Sequence, residues 1–378
     1  MKRKATLRPR ILVVDDEPAM LRTVVRILER DNEVHGFASP TEALAAAPEI
    51  EPHLAIVDIR MPEMDGFELM NALKRIDQDL RVILMTGSGF DTDQKLIRAI
   101  REKAFFYIQK PFERAVLRTL VARCLEIRAL EDANRGYLAH LESQLEEARA
   151  FQQTMLPARQ ASLEGFEIDA TYQPCTELAG DLYDYAAAGD GRVALLLADV
   201  VGHGASAAML TSLVKSAFRA SYPDYDPRAV VERVSEALVS FEPDRFVTLL
   251  CARISIAEGR LEYVNGGHDG GLVTYGDGRT TQLESTGPLI SPVLRHLGWK
   301  SRLVPWSPDA RLLLYSDGIT ETVTDEDEMF ELDRLLAIVG DSQARGAELL
   351  RQVLQRVETF AGGRPAADDR TLLTVRQA

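Results

Sequence analysis

The stretch RVALLLADVVGHG, residues 192–204, is an apolar run that breaks at Asp199 into a polar, Gly-containing turn. Such a run predicts a buried strand, and a carboxylate where it ends projects into whatever cleft lies beyond. Working outward, RLLLYSDGITE (311–321) repeats the pattern and delivers Asp317, while GDLYD (180–184) and ADDRT (367–371) supply Asp181 and Asp368 beside Gly or in short polar breaks. Taken singly, an Asp-Gly pair is a turn. Four such clusters from distant parts of one chain describe something else: oxygen donors for two hard divalent cations, which together deprotonate a water for in-line attack on phosphorus.

The first third of the chain carries an independent constellation. RILVVDDEP (10–18) is an apolar strand ending in two acids, HLAIVDIRMPEMDG (53–66) another ending in Asp58, VILMTGSG (82–89) a third ending at Thr86, and AFFYIQKPF (104–112) a fourth ending at Lys110. Between them AMLRTVVRILER and GFELMNALKRI place apolar residues at i, i+3, i+4 and i+7, the spacing of helices with one buried face. Alternating strand and helix predicts a doubly wound parallel α/β sheet, whose ligands sit at the carboxyl ends of the strands. The acids, the Thr and the Lys therefore converge on one edge.

The order and wording of the four acidic clusters resemble the metal-dependent protein phosphatases (PPM family), in the bacterial branch typified by the stage II sporulation phosphatase and the stress-response phosphatases. The resemblance runs from about Glu167 to the C-terminus. It implies an α/β sandwich of two mostly antiparallel sheets flanked by helices. It also implies two Mg²⁺ or Mn²⁺ ions held by Asp181, Asp199, Asp317 and Asp368, joined by the Val200 carbonyl, with Asp184 and Asp369 as supporting carboxylates. His203 invites a general-acid role, since a leaving alkoxide needs a proton; Val-Val-Gly separates it from Asp199, and a loop histidine is the other reading. VNGGHDGG (264–271) also looks like the bacterial branch, with Asn265 and His268 in a structural turn. MFELDRL (329–335) departs from the family, which usually has a Gly after the Phe.

Residues 9–125 resemble a response-regulator receiver domain of flavodoxin-like fold. That resemblance makes Asp58 the phosphoacceptor, assigns Mg²⁺ to Asp15, Asp16 and Asp58, pairs Lys110 with the phosphoryl oxygens, and makes Thr86 and Tyr107 the switch pair. Phe106 stands where Asp is commoner in such domains.

Between the two regions, residues 112–156 lack Pro and are rich in Leu, Glu, Arg and Ala. Leu117, Leu120, Cys124, Ile127, Leu130, Asn134, Tyr137, Leu141, Leu145, Ala148, Gln152 and Met155 recur at spacings of three and four, predicting a helix that extends the receiver's last element into a coiled-coil seam. The step from 141 through 145 to 148 is a stutter. Asn134 at a seam position fixes register in a parallel homodimer; the alternative is one amphipathic helix lying on its own phosphatase domain. The expected division is a tail (1–8), the receiver (9–125), a linker (126–156) and the phosphatase (157–378).

A chain of 378 residues with 46% hydrophobic content supports two or three folding units. Its net charge of −14 argues against nucleic acid or an anionic membrane as partner. Three cysteines without metal-ligand spacing, no signal-peptide pattern and no long apolar run predict a cytoplasmic location. The combined expectation is a response regulator with phosphoserine/phosphothreonine phosphatase output. Its partners would be a cognate histidine kinase and, by analogy, a phosphorylated anti-sigma factor antagonist. The alternative is a non-catalytic phosphatase-like adaptor that binds a sigma factor or its regulator, a role that would tolerate losing metal ligands.

Overall fold

A computed structural model describes residues 8–87, 105–202, 204–242, 244–341 and 344–378. His203 lies outside the described residues. The chain divides into two compact units, residues 1–141 and 142–378.

In the first unit, β1 (Arg10–Val14), β2 (Glu33–Phe37), β3 (Leu54–Asp58), β4 (Arg81–Thr86) and β5 (Phe106–Gln109) form a parallel sheet in the order β2-β1-β3-β4-β5. β3 is buried on both faces, as its unbroken LAIVD demands. One face packs on α2 (Pro40–Ile50) and α3 (Gly66–Ile76) through Ala43, Phe67, Leu69 and Met70. The other meets α1 (Pro18–Leu28) and the start of α4 (Arg114–Met155) through Val24, Leu28, Leu117, Val121 and Cys124. Asp65 begins α3 with a reciprocal capping box, accepting from the Glu68 N–H while Glu68 accepts from its own. Gly66 is required there, because a Cβ would stand 2.2 Å from the Asp58 carbonyl oxygen.

α4 is continuous over 42 residues. Its twelve expected seam positions do not share one environment. Leu117 and Cys124 are core residues of the first unit, Leu130, Tyr137, Leu141 and Leu145 are exposed, and Gln152 is buried in the second unit. Spacing gives a helix one apolar face; it does not say what covers each turn. Arg128 and Arg135 tie the middle of α4 to Asp77 and Asp79, after α3.

The second unit is a sandwich of two antiparallel sheets, β14-β11-β10-β9-β8 and β13-β12-β15-β16-β7-β6. The strands that matter for the site are β7 (Phe166–Gln173), β8 (Asp181–Gly189), β9 (Arg192–Val200), β10 (Val247–Ser255), β11 (Arg260–Gly266), β12 (Gly270–Thr274), β15 (Arg311–Tyr315) and β16 (Arg370–Gln377). The short β6 (Gln160–Leu163), β13 (Thr280–Gln282) and β14 (Arg302–Pro305) lie at sheet edges. Alternate residues of β9 serve two cores. Val193, Leu195 and Leu197 face the other sheet, whereas Ala194, Leu196 and Ala198 face α5 (Ala205–Arg219) and α6 (Pro227–Leu238). The second sheet is covered by α8 (Glu331–Asp341) and α9 (Ala347–Ala361) through Leu335, Leu349, Val353 and Val357. α7 (Asp317–Thr320) is a single turn after β15. No helix among the described residues is long and apolar enough to cross a membrane.

Candidate functional site

In the first unit the strand ends bring the expected residues together. Asp15 follows β1 fully buried, Asp58 ends β3 at 6% exposure, and Asp16 beside them is exposed; one oxygen from each lies within 4.8 Å of the others. Lys110, just past β5, reaches Asp15 and Asp58 with its Nζ at 2.7 Å from each. Burial pushes the Asp15 carboxyl up from its usual range against the opposing pull of Lys110 and the Glu17 N–H. Burial also works against the Lys110 charge, but its bonds to the two carboxylates outweigh that and hold its pKa above the ordinary value. Three oxygen donors suit Mg²⁺. Thr86 ends β4 buried, and Tyr107 on the neighbouring strand keeps its hydroxyl buried without a hydrogen-bond partner among the described residues.

In the second unit the four acidic clusters meet at one end of the sandwich. Asp181 opens β8 and stands opposite Asp199 near the end of β9, so the antiparallel register itself sets two carboxylates side by side. GDLYD starts a strand whose DLYDYAAAG body runs on to Gly189, so Asp181 stands where a strand begins, whereas Asp199 stands where one ends. Asp317 begins α7, and Asp368 precedes β16. Exposure grades outward, from buried Asp181 through Asp199 and Asp317 to exposed Asp368.

These carboxylates feel one another. Burial, then the charges of Asp317 and Asp368, raise Asp199 to about 7. Burial and Asp368 raise Asp317 to about 6. Asp181 is raised well above the carboxylate range by burial and by Asp199, although the Thr371 and Ser316 hydroxyls favour its charged form. Among the described residues no Lys or Arg ion-pairs with any of the four. An all-oxygen donor set with uncompensated negative charge fits hard divalent cations.

The frame around them is specific. Gly180 packs so tightly that a Cβ would approach the Val200 carbonyl oxygen at 2.7 Å and Asp199 Oδ1 at 3.2 Å. The Val200 carbonyl thus lies in the same junction as Asp199 and Gly180. Asp369 is buried and accepts from the backbone N–H groups of Cys175, Gly180 and Asp181, so it holds the segment that carries Asp181. Asp184 is different. It lies on the helix-facing side of β8, fully buried, where Lys215 and Arg219 of α5 neutralise it. Strand alternation explains the separation, since residues 181 and 184 point to opposite faces. Asp184 is therefore a clamp between β8 and α5, not a support for the acidic cluster.

Two further acids escaped the sequence reading. Asp269 and Glu321, both exposed, place oxygens within 4.8 Å of one another and of Asp317. Asp269 follows His268 in the VNGGHDGG turn, and Glu321 closes the SDGITE turn; each lacks the immediately preceding apolar run that marked Asp199 and Asp317. Asn265 is the buried pin of that turn: its amide donates to the His268 and Leu283 carbonyls and accepts from the His268 N–H. His268 is buried beside Thr248, and burial lowers it to about 4, so its ring is neutral near pH 7.

Comparison with known proteins agrees with this geometry. The family model described as stage II sporulation protein E (SpoIIE) matches residues 189–378. The chain belongs to the SpoIIE family. The receiver-domain model of response regulators matches residues 11–122 of this SpoIIE-family chain. It is 25% identical over 261 residues to Protein IcfG of Synechocystis, covering 61% of this chain and 41% of that protein. It is 32% identical over 161 residues to the phosphoserine phosphatase RsbP of Bacillus subtilis, covering 41% of this chain and 40% of that protein. The chain thus spans about two fifths of the length of these curated relatives. Among solved structures, the SiaA-PP2C domain of Pseudomonas aeruginosa superposes with a TM-score of 0.56 at 20% identity, covering 64% of this chain and 98% of that domain, a likeness of fold.

Proposed function

We propose that this chain is a receiver-controlled, metal-dependent protein phosphatase that removes phosphate from serine or threonine side chains. The observation that carries the reading is the set of carboxylates Asp181, Asp199, Asp317 and Asp368, none ion-paired among the described residues, at one end of the sandwich, with the first three raised by burial and by their acidic neighbours. These carboxylates would hold two Mg²⁺ or Mn²⁺ ions, which when bound would supply an activated water and charge to offset the phosphoryl oxygens. The chain's own residues do the positioning. Asp369 holds the backbone beside Asp181, the Thr371 hydroxyl orients the Asp181 carboxylate, and the Ser316 hydroxyl, which donates to the Asp369 carbonyl and accepts from the Thr371 N–H, links β15 to β16. Neutral, buried His268 is not the proton donor to the leaving alkoxide near pH 7. In the receiver, Asp58 would accept a phosphoryl group from a cognate histidine kinase, with Asp15 and Asp16 holding Mg²⁺ and Lys110 countering the added charge. A serine-phosphorylated protein, in this reading an anti-sigma factor antagonist, is the substrate; the kinship with a phosphoserine phosphatase supports that class.

The test is hydrolysis of an aryl phosphate and of a phosphoserine protein in Mn²⁺ or Mg²⁺, with chelator as control and with beryllofluoride on the receiver as a phosphoryl mimic. Asp199→Asn and Asp317→Asn are each expected to lower the rate by orders of magnitude. Near-normal rates in both folded variants would remove the assignment, and an inactive parent that still binds metal would leave the adaptor role.

A further inference from the structure

Gln152, three residues before the end of α4, has 6% of its surface exposed, although Phe151 beside it is 66% exposed. Its amide engages one residue twice: Nε2 donates to the Ala179 carbonyl at 2.8 Å, and Oε1 accepts from the Ala179 N–H at 3.1 Å. A side-chain amide thereby does what a neighbouring strand would do for Ala179, satisfying both backbone groups in a buried place where leaving either unpaired is costly. Nearby, Thr211 Oγ1 lies 3.5 Å from the same Nε2, and Ser212 Oγ lies 3.2 Å from Met155 Sδ, so the last turns of α4 are fixed against α5 as well.

Ala179 is followed by Gly180 and Asp181. The same segment is also held by Asp369, through the N–H groups of Cys175, Gly180 and Asp181. The segment that delivers the Asp181 carboxylate is therefore held twice, once by the site's own motif and once by the end of the long helix. The tolerance is small, because Gly180 already lies against the Val200 carbonyl and Asp199. A shift of the Ala179 peptide moves the backbone on which Asp181 stands.

We propose that Gln152 is a positioning residue for the candidate metal centre: by holding both polar groups of Ala179 it sets the place of Asp181, and so makes metal affinity depend on how the end of α4 is seated. The inference rests on Asp181 being a metal ligand. Outer partners of metal ligands are worth roughly tenfold to a hundredfold in affinity, and about tenfold is expected here because Asp369 still holds the segment.

The experiment measures free Mn²⁺ by electron paramagnetic resonance during titration of the full chain. Asp15→Asn is present throughout, so that the receiver carboxylates do not contribute. Gln152→Leu removes both bonds at similar size; Gln152→Glu keeps an acceptor for the Ala179 N–H but loses the donor to its carbonyl; Phe151→Ala is the control on the same turn. Gln152→Leu is expected to bind Mn²⁺ about tenfold more weakly at a temperature well below its melting point, with aryl phosphate hydrolysis recovering at saturating Mn²⁺. Gln152→Glu is expected to weaken binding as well, and it carries the test if the Leu variant does not fold. Unchanged Mn²⁺ affinity in the folded variants overturns the inference alone, as does a rate loss that persists at saturating Mn²⁺ with binding intact. A parent that binds no Mn²⁺ removes the proposed metal centre and this inference together.

Discussion

Replacing Asp199 by Asn should stabilise the metal-free protein, although it removes a residue the proposed chemistry needs. Asp199 is raised from 3.8 to about 7, by burial first and then by Asp317 and Asp368. A carboxyl raised on folding is bound more tightly to its proton in the native state. Its stabilising contribution is complete below the unfolded value near pH 4 and is lost as pH rises through about 7. Three units at about 1.36 kcal/mol each give a ceiling of about 4 kcal/mol; Asp199 keeps some contact with solvent, which lowers the figure. Asn carries no charge at any pH and escapes the loss. In chelator, then, parent and Asp199→Asn should melt together near pH 4, and the variant should melt up to roughly 10 °C higher near pH 8, at about 2–4 °C per kcal/mol for a unit of this size. Saturating Mn²⁺ at pH 8 should reverse the order, because each ion at about 100 times its Kd adds about 2.7 kcal/mol to a protein that binds it, and two ions together outweigh the ceiling of about 4 kcal/mol. Calorimetry of the second unit's transition at the two pH values, with and without Mn²⁺, reads both effects. A variant that melts no higher than the parent in chelator at pH 8 would refute the claim that these carboxylates repel one another uncompensated.

The receiver should take a phosphoryl group at Asp58 from a small phosphodonor in Mg²⁺; Asp58→Ala should abolish labelling and Asp77→Ala should not, and acid-stable labelling that survives Asp58→Ala would mean a different chemistry. The exposed stretch of α4 should mediate self-association, strengthened by Asn134→Leu and weakened by Leu141→Asp. Light scattering that finds a monomer for the parent and both variants, with and without receiver phosphorylation, would rule that out.

Where an element's chemistry and its burial coincide, the sequence was enough. RILVV, LAIVD and RVALLLADV are apolar throughout because both faces of their strands are covered, and the acids at their ends stand out against that background. β8 was illegible for the opposite reason. DLYDYAAAG offers no apolar run, its alanines favour helix, and only its pairing along β9 makes it a strand. The same blindness to pairing put Asp184 among the supporting carboxylates of the metal site, since nothing in GDLYD shows that position 184 faces Lys215 and Arg219. Gln152 fitted the helical period of the seam, yet its amide is spent on Ala179 from the far end of a loop. Asp269 and Glu321 were passed over because they reach the cluster through turns, and turn residues announce their backbone geometry more readily than their neighbours in space.

The five residues ADDRT show why one short motif weighs so much in this fold. Asp368 faces the other carboxylates, and its charge raises both Asp199 and Asp317. Asp369 turns to the 175–181 backbone, and Thr371 to the Asp181 carboxylate. Arg370, buried, donates to the Gly318 carbonyl in α7 and to the Thr322 hydroxyl just after it. Gly318 meets the same segment so closely that a Cβ would stand 2.1 Å from the Asp369 carbonyl oxygen. One strand entry therefore fixes the loop before β8 and the turn after β15 at once, and with them Asp181 and Asp317. Removing a single carboxylate leaves that frame standing, which is why Asp199→Asn can lose metal binding and still gain stability. Altering Asp369 or Arg370 acts on the frame itself, so binding and stability should fall together.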